Sequence, residues 1–219
     1  MSSNRIVIFG GTFDPPHLGH TAVISGLRRA LGLPVLVIPN GRPPHRPEPG
    51  ADAPCRLHLV RLAVAELDDP MVMVSDLEVR RPGPSFTVDT VAELKAEDQE
   101  RGILLALGSD AALSLPQWER ADLVVSLAQL VVFDRLGAEQ RANRVIEELR
   151  RSGLPVEGAE AVEIEAPEIE SSEIRPLLEI GDSCPGQLSP AVLAEIRSAG
   201  LYGAHVGGSR SPHGIIASA

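Results

Sequence analysis

Cysteine is nearly absent: Cys55 and Cys184 are the only two, far apart and in no CxxC pair. That argues against a disulfide framework or a zinc knuckle as the organising device, and makes a reducing, cytoplasmic setting the expectation. Positive charge is in deficit as well. Lys and Arg total 20 against 30 Asp and Glu, a formal charge of -10, so affinity for nucleic acid through phosphate neutralisation is not expected, although local basic sites remain open. Long apolar runs are lacking too. No stretch approaches the roughly 18 uninterrupted apolar residues of a membrane span, and MSSNR leads into a strand-like run, so neither insertion nor export is expected. Aromatic residues make up 3%, and Trp118 is the only tryptophan.

What the chain does have is a core. With 219 residues, 43% of them hydrophobic, it can bury one domain's interior. Continuous apolar runs at Ile6 to Phe9, Val35 to Ile38, Met71 to Val74, Ile103 to Leu107 and Leu130 to Phe133 are expected as buried parallel strands. Between them, helical spacing covers His20 to Leu31, Arg56 to Leu67, Thr87 to Ala96 and Glu139 to Arg151. This alternation predicts an α/β fold with a doubly wound parallel sheet, whose ligands bind beyond the carboxyl ends of the strands. After Gly158 the pattern predicts a last strand in AVEIEAP and two short helices, the second starting at Ser189-Pro190 and ending at Gly200. Residues 1–202 are expected to form a single domain. The Gly-, Ser- and Ala-rich residues 203–219 are expected to be a disordered tail.

The segment from Gly10 to His20, GGTFDPPHLGH, follows the first strand. Gly10 and Gly11 let backbone amides approach a bulky anion, and a helix beginning near Leu18 adds unpaired N–H groups and a positive dipole end. His17 and His20, at i and i+3, can point the same way and donate to phosphate oxygens. The plainer reading is a tight turn with two surface histidines. Zinc fits poorly, because helical zinc pairs more often use i, i+4 and need a third ligand, and Asp14 is better placed to brace the loop.

A second anion site is suggested by SSEIR, Ser171 to Arg175, where two hydroxyls, a helix start and a guanidinium coincide. An ordinary N-cap supplied by serine, with Glu173 in the first turn, explains the same letters. Gly108 and Asp110, after the fourth strand, suit close approach and a ribose hydroxyl or a phosphate-bound Mg2+, or else simply start a helix. Trp118 offers a face to a planar cationic ring, or fills core.

The block GTFDPPHLGH resembles the nucleotidyltransferase superfamily that shares the HxGH motif. Together with PNGRPPHR, PSFT, LLALGSD, SLPQW and EIESSEIR in the same order, it is most similar to the bacterial nicotinate-nucleotide adenylyltransferase family. The resemblance runs from about Arg5 to Tyr202. It implies a Rossmann-like fold, adenylyl transfer from ATP with Mg2+ to nicotinate mononucleotide in NAD biosynthesis, and the following site. His17, His20 and Arg175 would be catalytic. Gly10, Gly11, Thr12, Phe13, His20, Gly108, Asp110, Ser171, Ser172 and Arg175 would face ATP. His45, Arg46, Arg135, the Thr87 backbone and a stacking Trp118 would face the mononucleotide. Glu170 and Asp134 depart from the family pattern, which has Ser at the first position and often a basic residue at the second. No metal is expected apart from that carried by ATP. A phosphopantetheine or nicotinamide mononucleotide acceptor, and a non-catalytic nucleotide sensor on the same fold, are the alternatives. A tRNA-linked role through the related HIGH motif fails on size and acidic balance.

Overall fold

A computed structural model of the chain describes residues 4–44, 48–135 and 139–204, the side chains of Arg135 and Glu139 excepted. Six parallel strands form one sheet in the order β3-β2-β1-β4-β5-β6. They are β1 Arg5–Gly11, β2 Val35–Pro39, β3 Val72–Val74, β4 Gly102–Gly108, β5 Gln129–Arg135 and β6 Glu160–Ile164. The helices are α1 Leu18–Leu31, α2 Ala53–Ala65, α3 Leu77–Arg80, α4 Thr87–Glu97, α5 Ser109–Leu113, α6 Ala121–Leu127, α7 Glu139–Arg151, α8 Ser171–Glu179 and α9 Pro190–Ser198. Short 3-10 turns follow at Leu115–Gln117 and Leu201–Gly203.

The doubly wound parallel sheet is as expected, and the apolar runs are its strands because both faces are covered. Ile6, Ile8, Ile103 and Leu105 pack beneath Val88, Val91, Val145 and Leu149 on one side. Val7, Phe9, Leu104 and Val131 pack beneath Ile24, Leu27, Val60 and Val64 on the other. A third cluster joins α2 to α8 and α9 through Leu59, Ile174, Leu178, Val192 and Ile196.

Helix boundaries follow capping chemistry. Helix α2 starts at Ala53, ahead of the expected Arg56, because Asp52 accepts the Cys55 amide at 2.8 Å and Pro54 lies in the first turn. Helix α9 starts where Ser189 accepts from the Val192 amide, with Pro190 behind it. Strand β5 is longer than its apolar run and includes Asp134 and Arg135, which the sequence had placed in the following loop. Helix α5 is the helix start allowed for at Gly108 and Asp110, whereas α3 and α6 escape prediction because each is shorter than the two or more turns over which a helical period can be recognised. Past Tyr202 the chain stays packed to Ala204, 3% exposed, although residue 203 is where a tail was expected. The rest of that segment, 205–219, lies outside the described residues. Both cysteines are free thiols. Among the described residues no helix is long and apolar enough to cross a membrane.

The winding reverses between β1 and β4. Their pairing ends at Ile8 and Leu105, while Phe9–Gly11 and Ala106–Gly108 run on past it, each paired only with its outer neighbour. A crevice therefore opens at the carboxyl end of the sheet, at its switch point.

Candidate active site

The loop from β1 to α1 is built around two reciprocal bonds. His17 is the N-cap of α1; its Nδ1 accepts the His20 amide at 3.3 Å, and His20 Nδ1 accepts the His17 amide at 3.2 Å. The two rings stack with centroids 3.6 Å apart. Each neutral imidazole whose Nδ1 accepts must carry its proton on Nε2. The capping box thus fixes both histidines as Nε2–H donors. Gly19 suits this packing, because a Cβ there would lie 3.0 Å from the His17 ring and 3.2 Å from the Pro167 carbonyl and would press on both.

Burial, reinforced by the neighbouring His17, holds the His20 pKa well below 6.5. The unfolded chain, titrating near 6.5, takes up a proton that the native state refuses. This contribution is intact above pH 6.5 and is lost as pH falls from there toward the depressed native pKa. Urea unfolding of wild type and His20→Asn across pH 7 to 5 should show wild-type stability falling more steeply, by at most about 1.4 kcal/mol per pH unit. Parallel profiles would contradict the buried, neutral His20.

Phe13 does not present its ring to the crevice. It is 2% exposed, sits edge-on to Phe9 and His20 at 5.8 and 4.9 Å, and lies close under Gly11. Only its backbone is available to a ligand.

The second motif meets the first across the fold. Ser171 Oγ donates to the Pro15 carbonyl at 2.9 Å, and Arg175 Nη1 donates to the Asp14 carbonyl at 2.8 Å. The N-cap of α8 is Glu170, not a serine, and its side chain caps nothing. Instead Glu170 accepts the Ser172 hydroxyl at 3.1 Å. Asp14 braces the loop as expected: its carboxylate accepts the Gly50 and Ala51 amides at 2.7 and 3.1 Å.

On the adjoining strand end, Gly108 caps α5 without a side chain. Ser109 donates to the buried Asp134 carboxylate at 2.5 Å, tying β4 to β5. Asp110 is exposed and paired with Arg141 of α7, so a ribose or a metal would have to draw it from that partner. Thr87 is the first residue of α4, behind a Phe86 N-cap that makes no side-chain bond. Trp118 is half-buried against the core, with Nε1 donating to Ser114 Oγ at 2.9 Å; its packing reading is met, and its exposed part is what a ligand could use. His45 and Arg46 lie outside the described residues, and Arg135 is placed only as the end of β5.

Two residues that sequence reasoning passed over hold the loops in register. Arg56, 1% exposed, donates through Nη1 to the Thr12 carbonyl at 2.6 Å and Asn40 Oδ1 at 3.5 Å. Its Nη2 donates to the Asn40 and Gly41 carbonyls at 2.8 and 2.9 Å, and Nε to Ala51 at 3.1 Å. All five guanidinium N–H groups are thereby used. Ser85 Oγ accepts the Gly41 and Arg42 amides at 2.9 and 3.2 Å. The signal for Arg56 was its spacing with Leu59, Val60 and Ala63, which puts an arginine on the buried face of α2.

The cytidylyltransferase-like family matches residues 8–176. A probable nicotinate-nucleotide adenylyltransferase of Sodalis glossinidius is 38% identical over 216 residues, covering 92% of this chain and 99% of its own. The chain belongs to the cytidylyltransferase-like family, among its nicotinate-nucleotide adenylyltransferases. A further probable member, from Klebsiella pneumoniae, is 36% identical over 212 residues, with 89% of this chain and 95% of its own covered. In fold, this family member resembles the Plasmodium falciparum nicotinic acid mononucleotide adenylyltransferase complexed with NaAD. The TM-score is 0.70 at 17% identity, over 90% of this chain and 97% of that one.

Proposed function

We propose that the protein transfers the adenylyl group of ATP to nicotinate mononucleotide, releasing pyrophosphate and forming nicotinate adenine dinucleotide for NAD biosynthesis. The observation that carries this reading is the meeting of two anion-binding motifs at the switch-point crevice. His17 and His20, locked as Nε2–H donors, end the β1–α1 loop there, and Ser171 and Arg175 are tied to that same loop by bonds to Pro15 and Asp14.

The acceptor phosphate has a second pKa of about 6, so it is largely ionised at neutral pH and needs no general base. What the reaction needs is alignment of two anions and stabilisation of charge at the α-phosphorus as pyrophosphate departs. His17 and His20 supply neutral donors. Arg175, with Ser171 and Ser172 at the start of α8, supplies the charged side of the clamp. Gly10, Gly11, Thr12 and the Phe13 backbone border the nucleotide, with Gly108 and Asp110 opposite. Trp118, the start of α4 at Thr87, His45, Arg46 and Arg135 serve the pyridine mononucleotide.

Mg2+ carried by the ATP phosphates would supply neutralisation of their charge. A pyrophosphate-release assay with ATP tests the reading. Nicotinate mononucleotide should outperform nicotinamide mononucleotide and phosphopantetheine. Release with phosphopantetheine alone would move the acceptor, and no release with any of the three would leave a nucleotide-binding sensor.

A further inference from the structure

Tyr202 lies beyond the residues 8–176 that the family matches, yet its hydroxyl donates to Asp14 Oδ1 at 2.9 Å. It occupies the last 3-10 turn with φ +54°, a left-handed conformation that costs a bulky side chain on the order of 1 kcal/mol. The reach to Asp14, together with packing against the third cluster, offsets that cost. A Cβ on Gly50 would sit 3.1 Å from the Tyr202 ring and 3.3 Å from Arg175 Cδ. The phenol and the stem of Arg175 therefore crowd the same glycine.

Asp14 is 5% exposed, and its carboxylate already accepts from Gly50, Ala51 and Tyr202. Arg175 Nη1 bonds the Asp14 carbonyl and stands 3.5 Å from carboxylate Oδ2. That is a loose ion pair, not the short two-pronged contact an arginine makes with an uncommitted carboxylate. We propose that Tyr202 is a positioning residue: by occupying Asp14 it keeps Arg175 loosely held and available to the phosphates of ATP. The proposal rests on the functional reading above. Burial and the adjacent Asp14 push the phenol pKa upward, so the hydroxyl stays a donor throughout the working range. Without it, Oδ1 keeps only the Ala51 amide, and Arg175, already beside Oδ2, closes on both oxygens of the carboxylate in competition with its ligand.

Tyr202→Phe should lower kcat/KM for ATP about tenfold, the scale of one hydrogen bond to a charged group, while KM for nicotinate mononucleotide stays as in wild type. A merely structural tyrosine would reduce the melting temperature and leave the ATP dependence unchanged, which overturns the proposal. An inactive wild type overturns the functional reading instead. The chain has one tyrosine, so a 13C-tyrosine-labelled wild type supplies a readout that needs neither turnover nor the variant. Added Mg-ATP should shift the Tyr202 ring signals and nicotinate mononucleotide alone should not. Absence of a shift with ATP refutes the coupling.

Discussion

Replacing His20 with alanine is expected to cut turnover by about 10²–10³-fold, the usual loss for one preorganised donor to a charge-developing transition state. The expectation follows from the capping box. His20 Nδ1 is committed to the His17 amide, so the only proton a neutral ring can offer is on Nε2, and burial keeps the ring neutral. A neutral donor does not need to ionise during the reaction, so its loss should appear in kcat at all pH values where the enzyme is folded. The fold should survive, since the ring contributes one edge-on contact to Phe13, one stack on His17 and one capping bond from the His17 amide, and no sheet bond. Steady-state kinetics beside a circular dichroism melt decide the matter. Turnover near that of wild type removes His20 from the chemistry.

The largest effect on stability belongs to Arg56→Met. The substitution removes a buried guanidinium and strands the carbonyls of Thr12, Asn40, Gly41 and Ala51, all of which accept from it. A deserted acceptor costs about 1–3 kcal/mol where it is buried, as at Ala51, and less at the part-buried Thr12, Asn40 and Gly41 carbonyls, which water or relaxation reaches more easily. With part of that cost relieved by such relaxation, a net loss of about 3–5 kcal/mol is expected, which places the change among the severe single substitutions. For a chain of this length that lowers the thermal midpoint by roughly 6–20 °C. Arg56→Lys should recover only part of it, because an ammonium has three donors where five are used. A loss under about 1 kcal/mol for Arg56→Met would mean that water reaches these carbonyls and the network contributes little.

Much of the sheet was legible because parallel strands buried on both faces write themselves as unbroken apolar runs, as Ile6 to Phe9 and Leu130 to Phe133 do. Helix α7 was legible to the residue because its charged face alternates cleanly with Ala142, Val145, Ile146 and Leu149. The placement of Gly10-Gly11 at the end of β1 and of Ser171-Ser172 at the start of α8 was legible from where the apolar runs end and helical spacing begins.

What the sequence did not disclose was who holds whom. Nothing local marks Tyr202 as the partner of Asp14, because the bond joins residues at opposite ends of the fold and depends on α9 delivering the last turn to the loop. The same holds for Ser109 with Asp134: the acidic residue is a departure from the family pattern, and only the β4–β5 pairing gives it the hydroxyl that makes its burial tolerable. Glu170 stands where the resemblance leads one to expect a serine. It is exposed and engaged by Ser172, a local bond that the motif's spacing permitted but did not require.

The central claim is that the crevice brings an acceptor phosphate onto the α-phosphorus of ATP. Incubating the enzyme with α-32P-labelled ATP, Mg2+ and nicotinate mononucleotide tests it most directly. The account predicts that the label passes into nicotinate adenine dinucleotide while unlabelled pyrophosphate is released in equal amount. Label remaining in ATP, or appearing in AMP with no dinucleotide formed, would contradict it.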